Sequence, residues 1–252
     1  MGRPRVLRPQ LRRDSLGCCP YMTAPGDHTT RARRQRWVRR GIRMMAVLLV
    51  LFAFYLAVIR PWHMHWGATP GEVTRLLPGD SLVQDPQEVT TRAITINAQP
   101  KHIWPWLAQM GNGRGGLYTY DWLDQLFGIL DHPSADTLLP RFQQLKAGDT
   151  IPIGAAGGWP VAVARPNEFL LLDIRQAGAH VTWLFALDSL SPLQTRLTMR
   201  VRAHLPVSWR LPFLMAALDP AEFLMVRRQL IGIRQRAESL ARADSSYVRA
   251  AA

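Results

Sequence analysis

Cysteine is nearly absent from this 252-residue chain, and the two present, Cys18 and Cys19, are adjacent in its first twenty residues. Everything downstream is free of thiols. That excludes a disulfide framework, a thiolate-ligated zinc site and a cysteine nucleophile from the folded part. Lysine is equally scarce, with Lys101 and Lys146 the only two among 31 basic residues, so the positive charge is almost wholly arginine. Carboxylates are short where arginine is dense: residues 1–43 hold 12 arginines against Asp14 and Asp27, and the remaining residues hold 19 basic against 16 acidic side chains. The formal charge of +13 is therefore a property of the tail. The rest of the chain, at +3, lacks the basic footprint that nucleic-acid binding needs. No internal repeat, G-x-S-x-G or H-E-x-x-H occurs, and with 48% hydrophobic residues the chain as a whole is not disordered.

What is present first is a long apolar run. Met44 to Ile59, MMAVLLVLFAFYLAVI, carries no charge and is bracketed by Arg43 and Arg60. As a helix it is about 24 Å long, and the bracketing arginines with Trp62 and Trp66 extend it to the interfaces of a bilayer. A cleaved signal peptide needs small residues after the run, where Arg60-Pro61-Trp62-His63 stands instead. A buried core helix is the rival, disfavoured by the all-round apolarity and the arginine brackets. Seven arginines in residues 31–43, against Arg60 and Arg75 alone in the first thirty residues beyond Ile59, put the N-terminus in the cytoplasm and the C-terminal domain outside. The expected organisation is a basic, disordered tail (1–43), a transmembrane helix (44–60), an extended juxtamembrane strap (61–89) rich in Pro and Gly, a folded domain (90–243) and a disordered C-terminus (244–252).

Within the domain, TTRAITINA (90–98) reads as a strand and Gln99 to Met110 as a helix, with Asn97 or Ala98 at its cap and Gly111 as its stop. Asp121 to Phe127 makes a second short helix. After Pro140 the period becomes two: strands are expected at 149–154, 159–165 and 169–175, then one with Val181, Trp183, Phe185 and Leu187 on one face. In the next, Leu197, Met199, Val201 and Ala203 alternate with Arg196, Thr198, Arg200 and Arg202, a strand with one polar side. Asp219-Pro220-Ala221-Glu222 has the form of a helix start. The stripe Phe223, Val226, Leu230, Ile233, Ala237 and Leu240 gives that helix one buried face.

Four segments, TRAITINAQPKHIWPWLAQMG, GRGGLYTYDWLDQLFG, LKAGDTIPIG and DPAEFLMVRRQLIGIRQRAE, resemble the SRPBCC superfamily of START, birch-pollen-allergen-like and polyketide cyclase/dehydrase-like proteins. The likeness covers roughly residues 60–242. It is nearest to bacterial members with one N-terminal membrane helix followed by motifs such as RPWHMHWGAT (60–69) and LPGD (77–80). The resemblance implies an α+β helix-grip fold, a curved antiparallel sheet around a long C-terminal helix with an apolar cavity between them. Its members include carriers and enzymes, so it does not fix an activity.

The candidate ligand-binding residues are Trp104, Arg114, Tyr118, Tyr120, Trp122 and Trp183, an aromatic density beside the Gly-rich loop 111–116, which is expected to be mobile at the cavity mouth. Gly111-x-Gly113-x-x-Gly116 matches a dinucleotide fingerprint in spelling only, because it follows a helix rather than a strand. His63-x-His65 has no carboxylate neighbour, and no metal site and no cofactor are expected. Two functions stay open. One is a non-catalytic module, tethered to the bilayer, that holds a lipid, isoprenoid or polyketide-like molecule. The other is a small-molecule enzyme of cyclase or dehydrase type drawing on Arg114, Tyr118, Tyr120, Asp121 or His132.

Overall fold

The computed structural model describes residues 2, 27–154, 157–206 and 211–251. Contacts divide the chain into two units, residues 1–52 and 53–252. Apart from residue 2, the described part of the first unit is residues 27–52 of helix α1, which spans Asp27–Phe54. Residues 27–43, expected to be unstructured, are therefore helical: once the apolar run forms a helix, the preceding arginine-rich stretch extends it without paying for a new nucleus. Residues 3–26 of the expected tail lie outside the described residues. Every apolar side chain of the run in this unit is exposed, and one continuous stretch, Arg33–Met64, is long and apolar enough to cross a membrane.

The second unit begins with a π-helical stretch, Tyr55–Ile59, and a short helix α2, Arg60–Met64. Helix α3 (Pro70–Thr74), strand β1 (Glu88–Ile96), α4 (Pro100–Ala108) and α5 (Asp121–Leu126) follow. Five strands come next: β2 (Thr150–Pro152), β3 (Gly158–Arg165), β4 (Phe169–Gln176), β5 (Ala179–Ser191) and β6 (Gln194–His204). Helix α6, Leu211–Ala251, closes the chain. The sheet is antiparallel throughout, in the order β1-β6-β5-β4-β3-β2, with register shifts at Val161/Val163 and Ser189/Ser191 that bend it. The expected helix-grip architecture is present.

The inner face of the sheet is built in cross-strand rows. Ile94, Leu197 and Leu187 form one; Arg92, Met199, Phe185 and Leu170 the next; and Thr90, Val201, Trp183, Leu172 and Val161 the third. Against them α6 sets the expected stripe, with Phe223, Val226, Leu230, Ile233 and Ala237 buried and Leu240 half-buried. Gly232 is required on this helix because a Cβ there would sit 2.4 Å from the Tyr118 carbonyl oxygen. Two boundaries differ from the sequence reading. Asp219 does not cap α6 but lies inside it, followed by Pro220, because its carboxylate accepts from Arg60 Nε at 2.6 Å instead. Residues 244–251 are helical rather than disordered, and Asp244 holds Lys101 and His102 of α4 at 3.2 and 3.1 Å.

The outer face corrects a second expectation. The polar side of β6 does not face water, and the strap is not extended. Residues 66–85 fold into α3 and a series of turns laid over the sheet, held by three arginines of β6. Arg200, 3% exposed, directs its five N–H groups at Thr91 Oγ1, Asp80 Oδ2 and the carbonyls of Glu72, Val73 and Arg75. Those three carbonyls are the ones that a short helix leaves without intrahelical partners. Arg196 reaches both carboxylate oxygens of Glu72 at 2.7 and 2.9 Å, and Arg202 binds the Val83 carbonyl at 3.0 Å. Glu72 also closes a capping box with Thr69 at the start of α3.

These contacts hold the Glu72 carboxyl down at about 2, from an ordinary value of 4.5, chiefly through the hydrogen bonds from Arg196. A depressed carboxyl contributes stability above its unfolded pKa and loses it as the pH falls toward the folded one. Melting temperatures of the full chain should therefore drop between pH 4.5 and about 2. The slope should flatten in Glu72→Gln, which should also melt lower at pH 7. Parallel curves for the two proteins would show that the Arg196–Glu72 pair does not hold the strap.

Candidate functional site

Two features of the inner face stand out chemically. In the third cross-strand row, two buried polar groups, the Thr90 hydroxyl and the Trp183 indole N–H, have no hydrogen-bond partner among the described residues. They flank Val201, one strand to each side, so they face the same interior. Trp183 is half-buried and meets Trp159 edge-on at 4.5 Å and Phe185 at 5.2 Å. Val181, Ile174 and Val201 near this end of the sheet are also half-buried, whereas Ile94, Leu197 and Phe185 further along are sealed. Buried polar groups in folded proteins almost always have partners, and an apolar surface with a few unsatisfied polar groups is how a small-molecule site is built.

The second feature is a charged cluster beneath α6. Arg92 sits on the inner face of β1, fully buried, in period with Ile94 and Ile96. Its Nη1 and Nη2 donate to the two carboxylate oxygens of Glu222 at 2.6 and 2.7 Å, and its Nε to the His63 carbonyl at 2.9 Å. The guanidinium also lies 5.6 Å from the Phe223 ring, on which His63 stacks at 5.3 Å. Beside it Arg60 bridges Asp219 and Glu88, the latter at 3.6 Å. Burial, with Asp219 nearby, raises the Glu88 pKa above its ordinary value. The sequence does carry a signal for this cluster, because an arginine two residues before Ile94 must share its face of the strand. Glu222 stands where the predicted helix start would have a capping carboxylate, whereas it pairs with Arg92.

The six residues expected to form one site are placed in separate surroundings. Trp104 is a core residue of α4. Tyr118 is also in the core, with φ +62°, its hydroxyl donating to the Trp106 carbonyl at 2.9 Å and Arg236 over its ring at 4.8 Å. Burial pushes its phenol pKa up, and a left-handed tyrosine costs of order 1–3 kcal/mol that the surrounding contacts must offset. Arg114 lines an open groove of about 250 Å³ and stacks on Phe142 at 4.5 Å, while donating to the Ala108 carbonyl. Tyr120 and Trp122 border another groove, of about 430 Å³, with Arg227 and Arg228. Only Trp183 faces the unsatisfied row.

The Gly-rich loop is a closed turn, not a mobile lid. Gly111 and Gly116 exchange backbone hydrogen bonds at 3.0 Å, and at Gly116, φ +80°, a Cβ would lie 2.7 Å from Ser134 Cα. Of the residues weighed for catalysis, the Asp121 carboxylate accepts from the Ser134 amide and hydroxyl, and His132 Nδ1 is bonded to the Pro133 carbonyl at 2.8 Å. Asp124, fully buried and accepting from Thr119, has its pKa raised by desolvation. Among the described residues no group of three or more His, Cys, Asp or Glu side chains is arranged to hold a metal ion.

No protein-family model and no curated protein matches this sequence. Solved structures similar to it include the Zhui aromatase/cyclase from a Streptomyces species, at 13% identity and TM-score 0.35, covering 62% of this chain and 93% of that one. CalU16 from Micromonospora echinospora is similar at 12% identity and TM-score 0.31, over 61% and 86% of the two chains. The Aha1 dimer from Colwellia psychrerythraea gives 17% identity and TM-score 0.32, over 56% and 94%.

The charged cluster makes an asymmetric prediction. Glu222→Ala strands a guanidinium that is 1% exposed, whereas Arg92→Met strands a carboxylate that is 44% exposed and can be hydrated. Glu222→Ala should destabilise the chain by about 3–5 kcal/mol and Arg92→Met by less. Chemical denaturation of both variants checks the order, and equal or reversed losses would contradict it.

Proposed function

We propose that this chain, in which a bent antiparallel sheet grips a long C-terminal helix as in the SRPBCC fold, is a membrane-anchored binding module whose inner sheet face receives a mostly apolar small molecule, without turning it over. The observation that carries this reading is the row Thr90–Val201–Trp183, apolar apart from two buried polar groups that have no partner among the described residues. Both can donate, and they stand two strand spacings, roughly 10 Å, apart. The matching ligand has an aliphatic or polycyclic body with oxygen acceptors, as in an isoprenoid, fatty-acid or polyketide-like molecule. Binding of this kind draws on apolar burial for affinity and on the two donors for orientation.

Anchoring is proposed on the exposed apolar stretch within Arg33–Met64, which only a lipid environment would cover. The arginine asymmetry supports the orientation proposed with it, the N-terminus in the cytoplasm and the sheet domain outside. A reporter fused after Ala252 that functions only outside the cytoplasm should be active, and the protein should stay in the membrane pellet after a carbonate wash. Activity of a cytoplasm-only reporter would reverse the orientation, and release by carbonate would remove the anchor.

The ligand reading is tested by native mass spectrometry of the full chain released from detergent after incubation with palmitic acid or farnesol. A non-covalent adduct is expected, with occupancy lowered roughly tenfold in Trp183→Ala and measurably in Thr90→Val. His132→Ala and Asp121→Asn should leave it unchanged. Absence of an adduct with either probe, or greater sensitivity to the two polar substitutions, would overturn the assignment.

A further inference from the structure

Helix α5 and its C-cap Phe127 turn three large apolar side chains to solvent, Trp122, Leu126 and Phe127, at 66, 70 and 66% exposure. Monomeric soluble domains seldom leave such a cluster uncovered unless it meets something. Across the 430 Å³ groove lie Arg227 and Arg228 of α6. Arg228 stands over the Tyr120 ring at 5.8 Å and Arg227 over Trp66 at 5.1 Å. Trp66 and Trp62 both meet Phe223 edge-on, at 6.3 and 5.4 Å. Trp62, itself exposed, comes two residues after Arg60, the bracket of the apolar run. A contiguous band of aromatic and arginine side chains thus runs from the end of that run along α6 to α5, within the second unit.

Arg227 and Arg228 differ from the arginines of the domain that carboxylates hold, a property they share with Arg114 and Arg141, which stack on Phe142. Arg60, Arg92, Arg196, Arg200 and Arg236 each pair with a carboxylate. Among the described residues Arg227 and Arg228 pair with none; Arg228 reaches only Gln235, at 3.5 Å. Asp121 lines the same groove, but its carboxylate accepts from Ser134 and pairs with neither arginine, so guanidiniums stacked on aromatic rings keep N–H groups for an external anion. Tryptophan, tyrosine and arginine beside exposed leucine and phenylalanine form the composition that settles at a membrane–water interface, with apolar tips in the acyl boundary and cations on lipid phosphates.

We infer that this band is a second membrane contact, in which Trp122, Leu126 and Phe127 enter the interface and Arg227 and Arg228 bind anionic headgroups. The contact is independent of the inner-face ligand site and rests on the proposed anchor alone. It would hold the domain in one orientation on the bilayer, an arrangement that a single spanning helix does not impose.

The test is hydrogen exchange of the full chain in nanodiscs of phosphatidylcholine with and without phosphatidylglycerol, read on the peptide covering α5. Protection should rise at least about fivefold when anionic lipid is present, roughly the weight of one arginine at a charged surface. That gain should be lost in Arg227→Glu. In Trp122→Ser/Phe127→Ser, protection should disappear in both lipids, while carbonate resistance and melting temperature stay as in the parent because these side chains are exposed and the anchor is intact. Equal exchange in detergent and in both nanodiscs would overturn the inference. So would protection that tracks protein concentration, which would make the occupant a second copy of the chain. Loss of carbonate resistance in the parent protein would instead defeat the anchor itself.

Discussion

A guanidinium taken out of water must find a carboxylate and enough acceptors for its remaining N–H groups, and this sheet buries one on each face. On the outer face Arg200 meets the demand with Asp80, Thr91 and three carbonyls of the strap. On the inner face Arg92 meets it with Glu222 and the His63 carbonyl. Neither can be satisfied by the strand it stands on. Each therefore requires the segment between the apolar run and β1 to be in place, and Arg92 requires α6 as well.

This dependence explains why residues 60–87 are part of the domain and not a loose tether. Arg60 is bound to Asp219 of α6, Trp62 and His63 pack on Phe223, and Glu72 and Asp80 are held by arginines of β6. The chain leaves the apolar run directly into folded structure.

The near absence of lysine has a structural counterpart. Arg196, Arg200 and Arg92 each use the planar fork, bidentate on Glu72 or Glu222 or spread over several carbonyls. A lysine ammonium has three donors and no plane, so it could not reproduce the five bonds of Arg200. Helix α4 is held differently, meeting Asp244 of α6 through Lys101 and His102.

The elements themselves were legible from the sequence, because periodicity is a local property. Alternation at Leu197–Ala203 and at Val181–Leu187, and the 3-4 spacing from Phe223 to Ala237, are written in neighbouring residues and appear as β6, β5 and the buried stripe of α6. The placement of the strap over the outer face was not legible, since an arginine alternating with apolar residues looks the same whether water or a folded strap covers it. Asp219 looked like a cap because its partner, Arg60, is 159 residues away. Local pattern likewise put Trp104, Arg114, Tyr118, Tyr120, Trp122 and Trp183 together by aromatic density, and the fold sent them to the core, two grooves and one row of the inner face. Composition and period determine which side chains prefer burial and on which element, whereas which buried polar group finds a partner is decided only when distant strands and helices meet, as Thr90 and Trp183, left without one, show.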